Sequence, residues 1–380
     1  MKEVGKGLKR FFRGADMPLL FICLLAAAYG VLLIASATRT YPNGSHGYIS
    51  RQLIAVAIGV ALYIVLTIVD VRIFGRLWKI LAVFNVGFIA LLVPFGQGGN
   101  GNKSWLRFKF LPFDIQPAEF VKVTFILLMA WHMYCMKDKI NRPLPMLGVV
   151  AHFLAQFGLI LVASRDLGVA LIYVFAFFCM LIGAGVKPRW FIAAFAAAGG
   201  ALPLLWFQFM NDTLKKRVIY FFSPESDPLG AGYHVLQSMK AFTNGGLFGQ
   251  GLFKGSQTQG HRIFGQNTDF VFTVAGEELG FFLTLLIPLL LLIIIGRCFY
   301  IATKAQNGFG SLICIGIAGT VIFQTFENIG MCIGVTPIIG ITLPFFSYGG
   351  SSILSTFAAM GLVSSIKMHP FPSWIRDRGR

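Results

Sequence analysis

Residues Phe281 to Gly296 read FFLTLLIPLLLLIIIG, an uncharged run in which Thr284 is the only hydroxyl. With its flanks it forms an apolar segment over about 277–297. A helix rising ~1.5 Å per residue needs ~20 residues to cross ~30 Å of hydrocarbon, so this segment has the length of a transmembrane helix. Nine more segments of the same kind occur, at roughly 17–37, 48–69, 76–95, 117–134, 146–164, 167–186, 189–209, 309–333 and 350–367. The other backbone solution in lipid, a closed β-barrel, would show ~10-residue segments of alternating polarity, and the chain has none. The expected fold is an all-α polytopic membrane protein with ten transmembrane helices in a single domain, 1–380. Composition agrees: 56% of residues are hydrophobic and only 12% charged.

Immediately before that run lies the one long polar stretch, Lys215 to Gly280, between helices seven and eight. It reads KKRVIYFFSPESDPLGAGYHVLQSMKAFTNGGLFGQGLFKGSQTQGHRIFGQNTDFVFTVAGEELG. Glu225, Asp227, Asp269, Glu277 and Glu278, with Asp212 just upstream, sit near bases and glycines. A structureless loop of this length is uncommon and is usually functional or disordered. Its aromatic and apolar residues argue against disorder. If the chain does chemistry, this loop, about 210–276, is where to expect it.

Loop charges set the orientation. Lys2, Lys6, Lys9, Arg10 and Arg13 precede the first helix, which lacks a convincing cleavage site and reads as a retained signal anchor. With that end inside, the larger share of the 32 Lys and Arg falls on inner loops and tails, and most acids fall outside. The positive-inside rule then places both termini in the cytoplasm and the long loop outside. The net charge of +17 is mainly topogenic, and bases scattered over short loops exclude a nucleic-acid surface. The six cysteines show neither a disulfide framework nor CxxC spacing. The histidines show no metal-ligand spacing, GLFGQGLFKG lacks the GK[ST] of a P-loop, and no GxSxG occurs.

Charges inside a span are costly and are functional candidates. Glu119 and Lys122 share one face at the start of helix four. Asp166 stands at the N-cap of helix six. Glu277 and Glu278 start helix eight, and Glu327 lies in helix nine. Gly334 to Ser352, between helices nine and ten, breaks the helix at membrane depth, which places a polar cavity beside helix ten. With Lys122, Arg217 and Lys240, these acids crowd the outer interface. Basic groups and exposed amides suit a phosphate, and a partly desolvated carboxylate suits a general base. An enzyme acting on a phosphorylated lipid is expected. A transporter would hold its acids near the midplane in symmetric repeats.

Six blocks carry a family resemblance: QPAEFVK (116–122), SRDLGVAL (164–171), DPLGAGYHVLQS (227–238), NGGLFGQG (244–251), NTDFVFTVAGEELG (267–280) and NIGMCIGVTPIIGITLPFFSYGGSS (328–352). In order, they resemble the signature blocks of the SEDS family, which comprises RodA, FtsW and SpoVE. Ser256–Thr258 and the NIGM block look most like the rod-shape branch. The resemblance implies peptidoglycan polymerisation from lipid II at the outer face of the bacterial cytoplasmic membrane, beside a class B penicillin-binding protein and other elongation-machinery membrane proteins. It puts the essential loop aspartate on Asp269 and a required tryptophan on Trp105, with Glu119, Lys122 and Asp166 as charged cavity residues. Glu277, Glu278 and Ser347 are further candidates. The chain departs from the family where Phe264-Gly265-Gln266-Asn267 replaces a proline–acid–x–histidine run.

An α-linked pyrophosphate donor and a β-1,4 product imply one inverting displacement. Asp269 is the expected base, and Lys122, Arg217 or a divalent cation such as Mg or Mn the expected help for the leaving group. No spacing marks a metal site. Division or sporulation polymerase, lipid II flippase and non-catalytic scaffold are the alternatives. The lipid-facing surfaces of helices eight and nine, with Gly316 and Gly319, are expected to receive the partner.

Overall fold

The computed structural model describes residues 11–41, 44–98, 103–108, 113–204, 207, 215 and 231–370. Arg217, one of the expected cationic residues, lies outside them.

The helices that form the membrane bundle are α1 (Met17–Ala37), α2 (His46–Ile68), α3 (Trp78–Ala90, continued by Leu92–Phe95), α4 (Pro117–Cys135), α5 (Pro143–Ser164), α6 (Leu167–Gly183) and α7 (Pro188–Leu204). After the long loop's own α8 (Ala231–Gly245) come α9 (Val271–Thr284), α10 (Leu286–Lys304), α11 (Gly308–Cys332) and α12 (Gly350–Met368). Eight of these spans are long and apolar enough to cross a membrane: α1 to α5, α10, α11 and α12. The chain is a multi-pass membrane protein. Of the other expected spans, α6 is 17 residues long, shorter than these eight, and α7 is described only as far as Leu204, short of the expected end near residue 209.

Burial sorts the bundle. The best apolar window of α12 is 83% buried and those of α4 and α11 are 67%, whereas that of α3 is 17%. So α4, α11 and α12 form the centre and α3 an edge. Small residues permit the close crossings. A Cβ on Gly59 of α2 would stand 2.7 Å from the Phe357 ring of α12, and one on Gly361 would stand 2.8 Å from the Tyr63 carbonyl. Gly316 and Gly319 do the same inside α11: their added carbons would meet Ile126, Met180 and Cys179. Both glycines are buried between α4 and α6, so they do not form the lipid-facing partner surface expected of them.

At the end of the bundle opposite the long loop, Asp16 caps α1 by accepting from Leu19 N. Its carboxylate, fully buried, pairs with Arg297 at 2.9 Å, and its carbonyl accepts from the Tyr63 hydroxyl. A buried carboxylate requires such partners, since burial without them penalises the charge heavily.

The expected eighth span is broken. Gly280 has φ 73°, a left-handed conformation that glycine accepts readily, and it separates α9's first turns from the run that leads into α10. The break frees backbone groups, and the NGGLFGQG segment fills them. Gln250 N donates to Glu277 O at 3.0 Å, Gly251 N to Glu278 O at 2.9 Å, and Phe281 N to Gly246 O at 2.9 Å. Non-helical backbone in a membrane protein survives where protein satisfies it, as here. Glu277 and Glu278 therefore sit before the break, within α9, rather than at the start of a continuous helix.

Candidate functional site

The site is assembled where three loops meet the first turn of α2. In the loop between α3 and α4, antiparallel bridges Gln97↔Trp105 and Leu106↔Ile115 fold the chain back on itself. Ser104 Oγ lies 3.2 Å from Asp166 Oδ2, while Asp166 Oδ1 accepts from Val169 N and caps α6. Asp166 thus fixes the strand that presents Trp105. Ser351 of α12 closes the same loop, accepting from Gln116 N and donating to Asp114 O.

The loop between α11 and α12 is held from α2. Gln52 Nε2 donates to Ser347 O at 3.1 Å, and Gln52 Oε1 accepts from Gly349 N at 3.2 Å. Tyr48 stacks edge-on between Tyr41 and Tyr348, with centroids 5.5 and 5.2 Å away. Burial pushes the Tyr348 phenol up, although the neighbouring Arg51 pulls it the other way.

Between these walls opens a cavity of ≈ 670 Å³. Its lining includes Tyr48, Arg51, Trp105, Arg107, Thr268 and Tyr348. Arg107 is bound to Asp114 at 3.0 Å and is largely exposed. The cavity therefore combines two guanidinium groups, aromatic walls and the backbone of the loop that carries Asp269. That composition suits an anionic, sugar-bearing head group, because guanidinium forks match phosphate oxygens.

Asp269 follows Thr268 directly and is half-buried, one residue before the N-cap of α9. Gly340, at φ 79°, lets the α11–α12 loop approach it: a Cβ there would stand 3.3 Å from Asp269 Oδ2.

The other expected residues divide. Glu119 and Lys122 pair at 2.7 Å with both side chains almost fully buried, and Ser355 and Gln324 complete the cluster at 2.8 and 3.2 Å. Glu277 and Glu278 are both fully buried. Glu277 accepts from the amides of Gln257 and Thr258 at 2.7 and 2.9 Å and from the Thr258 hydroxyl. Glu278 accepts from Phe253 N, Gly255 N, Gln259 Nε2 and the Ser36 hydroxyl. Both were expected to face the cavity; they are instead committed to pinning residues 253–259, because buried amides need an acceptor and a carboxylate supplies several. Ser347 is also buried, bound to Thr268 O and Leu343 N. Lys240 is exposed on α8 and does not line the cavity. Among the described residues no three His, Cys, Asp or Glu side chains converge on a common point where they could hold a divalent cation. Arg51, Arg107, Tyr48 and Tyr348 were missed in the sequence. The available signal was Arg51, a charge in the second turn of an apolar helix.

Comparison with known proteins agrees with this architecture. A peptidoglycan glycosyltransferase of Escherichia coli K12, MrdB, is 31% identical over 354 residues, covering 93% of this chain and 94% of its own. A probable peptidoglycan glycosyltransferase FtsW of Geobacter sulfurreducens is 32% identical over 368 residues, covering 92% and 94%. A chain from a solved peptidoglycan synthase complex, described as coordinating polymerization and crosslinking, superposes with a TM-score of 0.79 at 28% identity, covering 93% and 97%. The sequence model of the FtsW, RodA and SpoVE cell cycle proteins matches residues 17–370. Nearly the whole chain, with its blocks in order and its loops converging on one cavity, thus follows a single pattern: it belongs to the FtsW/RodA/SpoVE family, the SEDS proteins.

Proposed function

We propose that this chain is a peptidoglycan glycosyltransferase that polymerises lipid II into β-1,4 glycan strands, in the rod-shape branch of its family. The cavity would face the outside of a bacterial cytoplasmic membrane, with both termini in the cytoplasm. The observation that carries the reading is the convergence of Arg51, Arg107 and Thr268, the residue before Asp269, on one aromatic-walled cavity at the end of the bundle that carries the long loop. The similarity to glycosyltransferases over more than nine-tenths of both chains supports it.

In this reading Asp269 accepts the proton of the acceptor C4 hydroxyl as that oxygen forms its bond to C1 of the donor. The bond from C1 to the pyrophosphate oxygen breaks on the opposite face, its electron pair leaves with the pyrophosphate, and the α-linkage becomes β. A general base contributes typically 10²–10⁴-fold. Arg51 and Arg107 stabilise charge on the leaving oxygens. A class B penicillin-binding protein would cross-link the product; the superposition on a synthase complex supports such a partner.

The test is purified protein in detergent with lipid II, with and without the transpeptidase. Glycan strands support the proposal. Lipid II moved across vesicles without polymer would replace it with a flippase. The branch is decided by whether the gene restores rod shape or septation in depleted cells, since identities to MrdB and FtsW are nearly equal.

A further inference from the structure

Three successive carbonyls before α9 are held by donors from one region of the chain. Tyr348 N donates to Asn267 O at 2.8 Å, and Ser347 Oγ donates to Thr268 O at 2.6 Å. Asn328 Nδ2, on α11, donates to Asp269 O at 2.7 Å. The same nitrogen donates to Ile341 O at 2.7 Å, in the loop that passes Asp269. One amide thus spans the segment bearing Asp269 and the loop bearing Gly340.

Asn328 is fully buried, and among the described residues its Oδ1 has no hydrogen-bond partner. A buried, half-satisfied amide is costly, but an apolar side chain of similar size would instead orphan the Asp269 and Ile341 carbonyls. Its two N–H groups are its asset. Both partners are carbonyl oxygens, so the amide's orientation is fixed by chemistry.

We propose that Asn328 is a positioning residue for the transfer reaction: it fixes the backbone of Asp269 and the Gly340 turn together, setting where the Asp269 carboxylate meets the acceptor hydroxyl. Ser347 does the same for the preceding residue. Neither touches substrate. The inference rests on reading Asp269 as the general base.

The experiment measures lipid II polymerisation by the full chain with its transpeptidase, comparing Asn328→Asp, Asn328→Leu and Ser347→Ala. Asn328→Asp keeps the side chain's size and removes both donors. Displacement of a reacting group by about 1 Å costs ~10²-fold, so kcat for the Asn328 variants is expected to fall by about that factor, and for Ser347→Ala by about tenfold. KM for lipid II is expected to change by less than about threefold, since ground-state binding is untouched. In an Asp269→Glu background, whose carboxylate is already displaced, Asn328→Asp should cost under about threefold more, because the two residues act through one group. A loss carried by KM, full additivity with Asp269→Glu, or wild-type kcat in Asn328→Asp would overturn the inference. If the Asn328 proteins do not insert, Ser347→Ala decides, and its wild-type kcat would overturn it. Asp269→Asn runs beside them. If it polymerises normally, the base reading fails and takes this inference with it. If it is dead while Asn328→Asp turns over normally, only this inference fails.

Discussion

Lys122 Nζ lies 2.7 Å from Glu119 Oε2, one turn away on the same face of α4, with both side chains withdrawn from solvent. Removing one partner leaves the other charge in low dielectric, at a cost of roughly 3–5 kcal/mol. Lys122→Ala should therefore lower the yield of inserted protein and its melting temperature. Lys122→Met with Glu119→Gln should recover much of that, since neither charge remains. A single variant as stable as the parent would show that the pair is hydrated rather than buried.

Glu277 accepts from two amides and a hydroxyl of the 256–258 turn. Glu277→Gln turns part of that acceptor into a donor facing donors. Hydrogen bonds to a charged group are worth about 1.5–3 kcal/mol each, so a destabilisation of roughly 3 kcal/mol is expected. Hydrogen exchange should rise first in residues 253–259. Protection unchanged there would mean that the loop is held by something else.

Gly340→Ala places a carbon 3.3 Å from Asp269 Oδ2 at a backbone angle that strains any L residue. Polymerisation should fall by at least about tenfold, because the carboxylate must shift, while insertion stays normal. Asp269→Asn should lose the full contribution of a general base, about 10²–10⁴-fold.

His234 of α8 lies between Phe264 and Phe270, with centroids 5.6 and 6.4 Å away. Burial holds its pKa below the usual imidazole range. The sign follows: above about pH 6.5 both folded and unfolded forms are neutral and the penalty is absent. As pH falls below that value the unfolded segment takes up a proton that the docked helix resists, so docking weakens. Proteolysis within 231–245 should quicken between pH 7 and 5, by an amount that His234→Gln removes.

Gly316→Leu should destabilise the bundle by about 1–3 kcal/mol through overpacking against Ile126 and Met180. Thermal unfolding in detergent reads this. Binding of the transpeptidase by whatever protein folds should be unchanged, because this face is internal.

The helices were legible because lipid imposes its length and polarity on every segment that crosses it. FFLTLLIPLLLLIIIG can be little else. Trp105's place beside the cavity was legible from motif, and the Glu119–Lys122 pair from helical spacing. The break at Gly280 was not, because its cause, the backbone of 246–251 entering the gap, lies about thirty residues upstream. The same reason hid the duties of Glu277 and Glu278: a carboxylate's backbone partners leave no mark in its own neighbourhood. Arg51, Tyr48 and Tyr348 come from distant segments and share a cavity only after α12 has packed on α2.

That last pairing has a consequence for biosynthesis. The most buried span, α12, follows all the other described helices in the chain, and its main neighbour α2 precedes most of them. During translation α2 must wait in the bilayer with Gly59 and Tyr63 uncovered, and the Glu119 and Asp16 networks lack Ser355 and Ser364. The centre cannot close until α12 has been made, so a chain cut short before residue 350 would leave the other helices without their most buried partner. Quality-control proteases that recognise polar groups exposed to lipid would then meet every truncated product before it could compete for substrate.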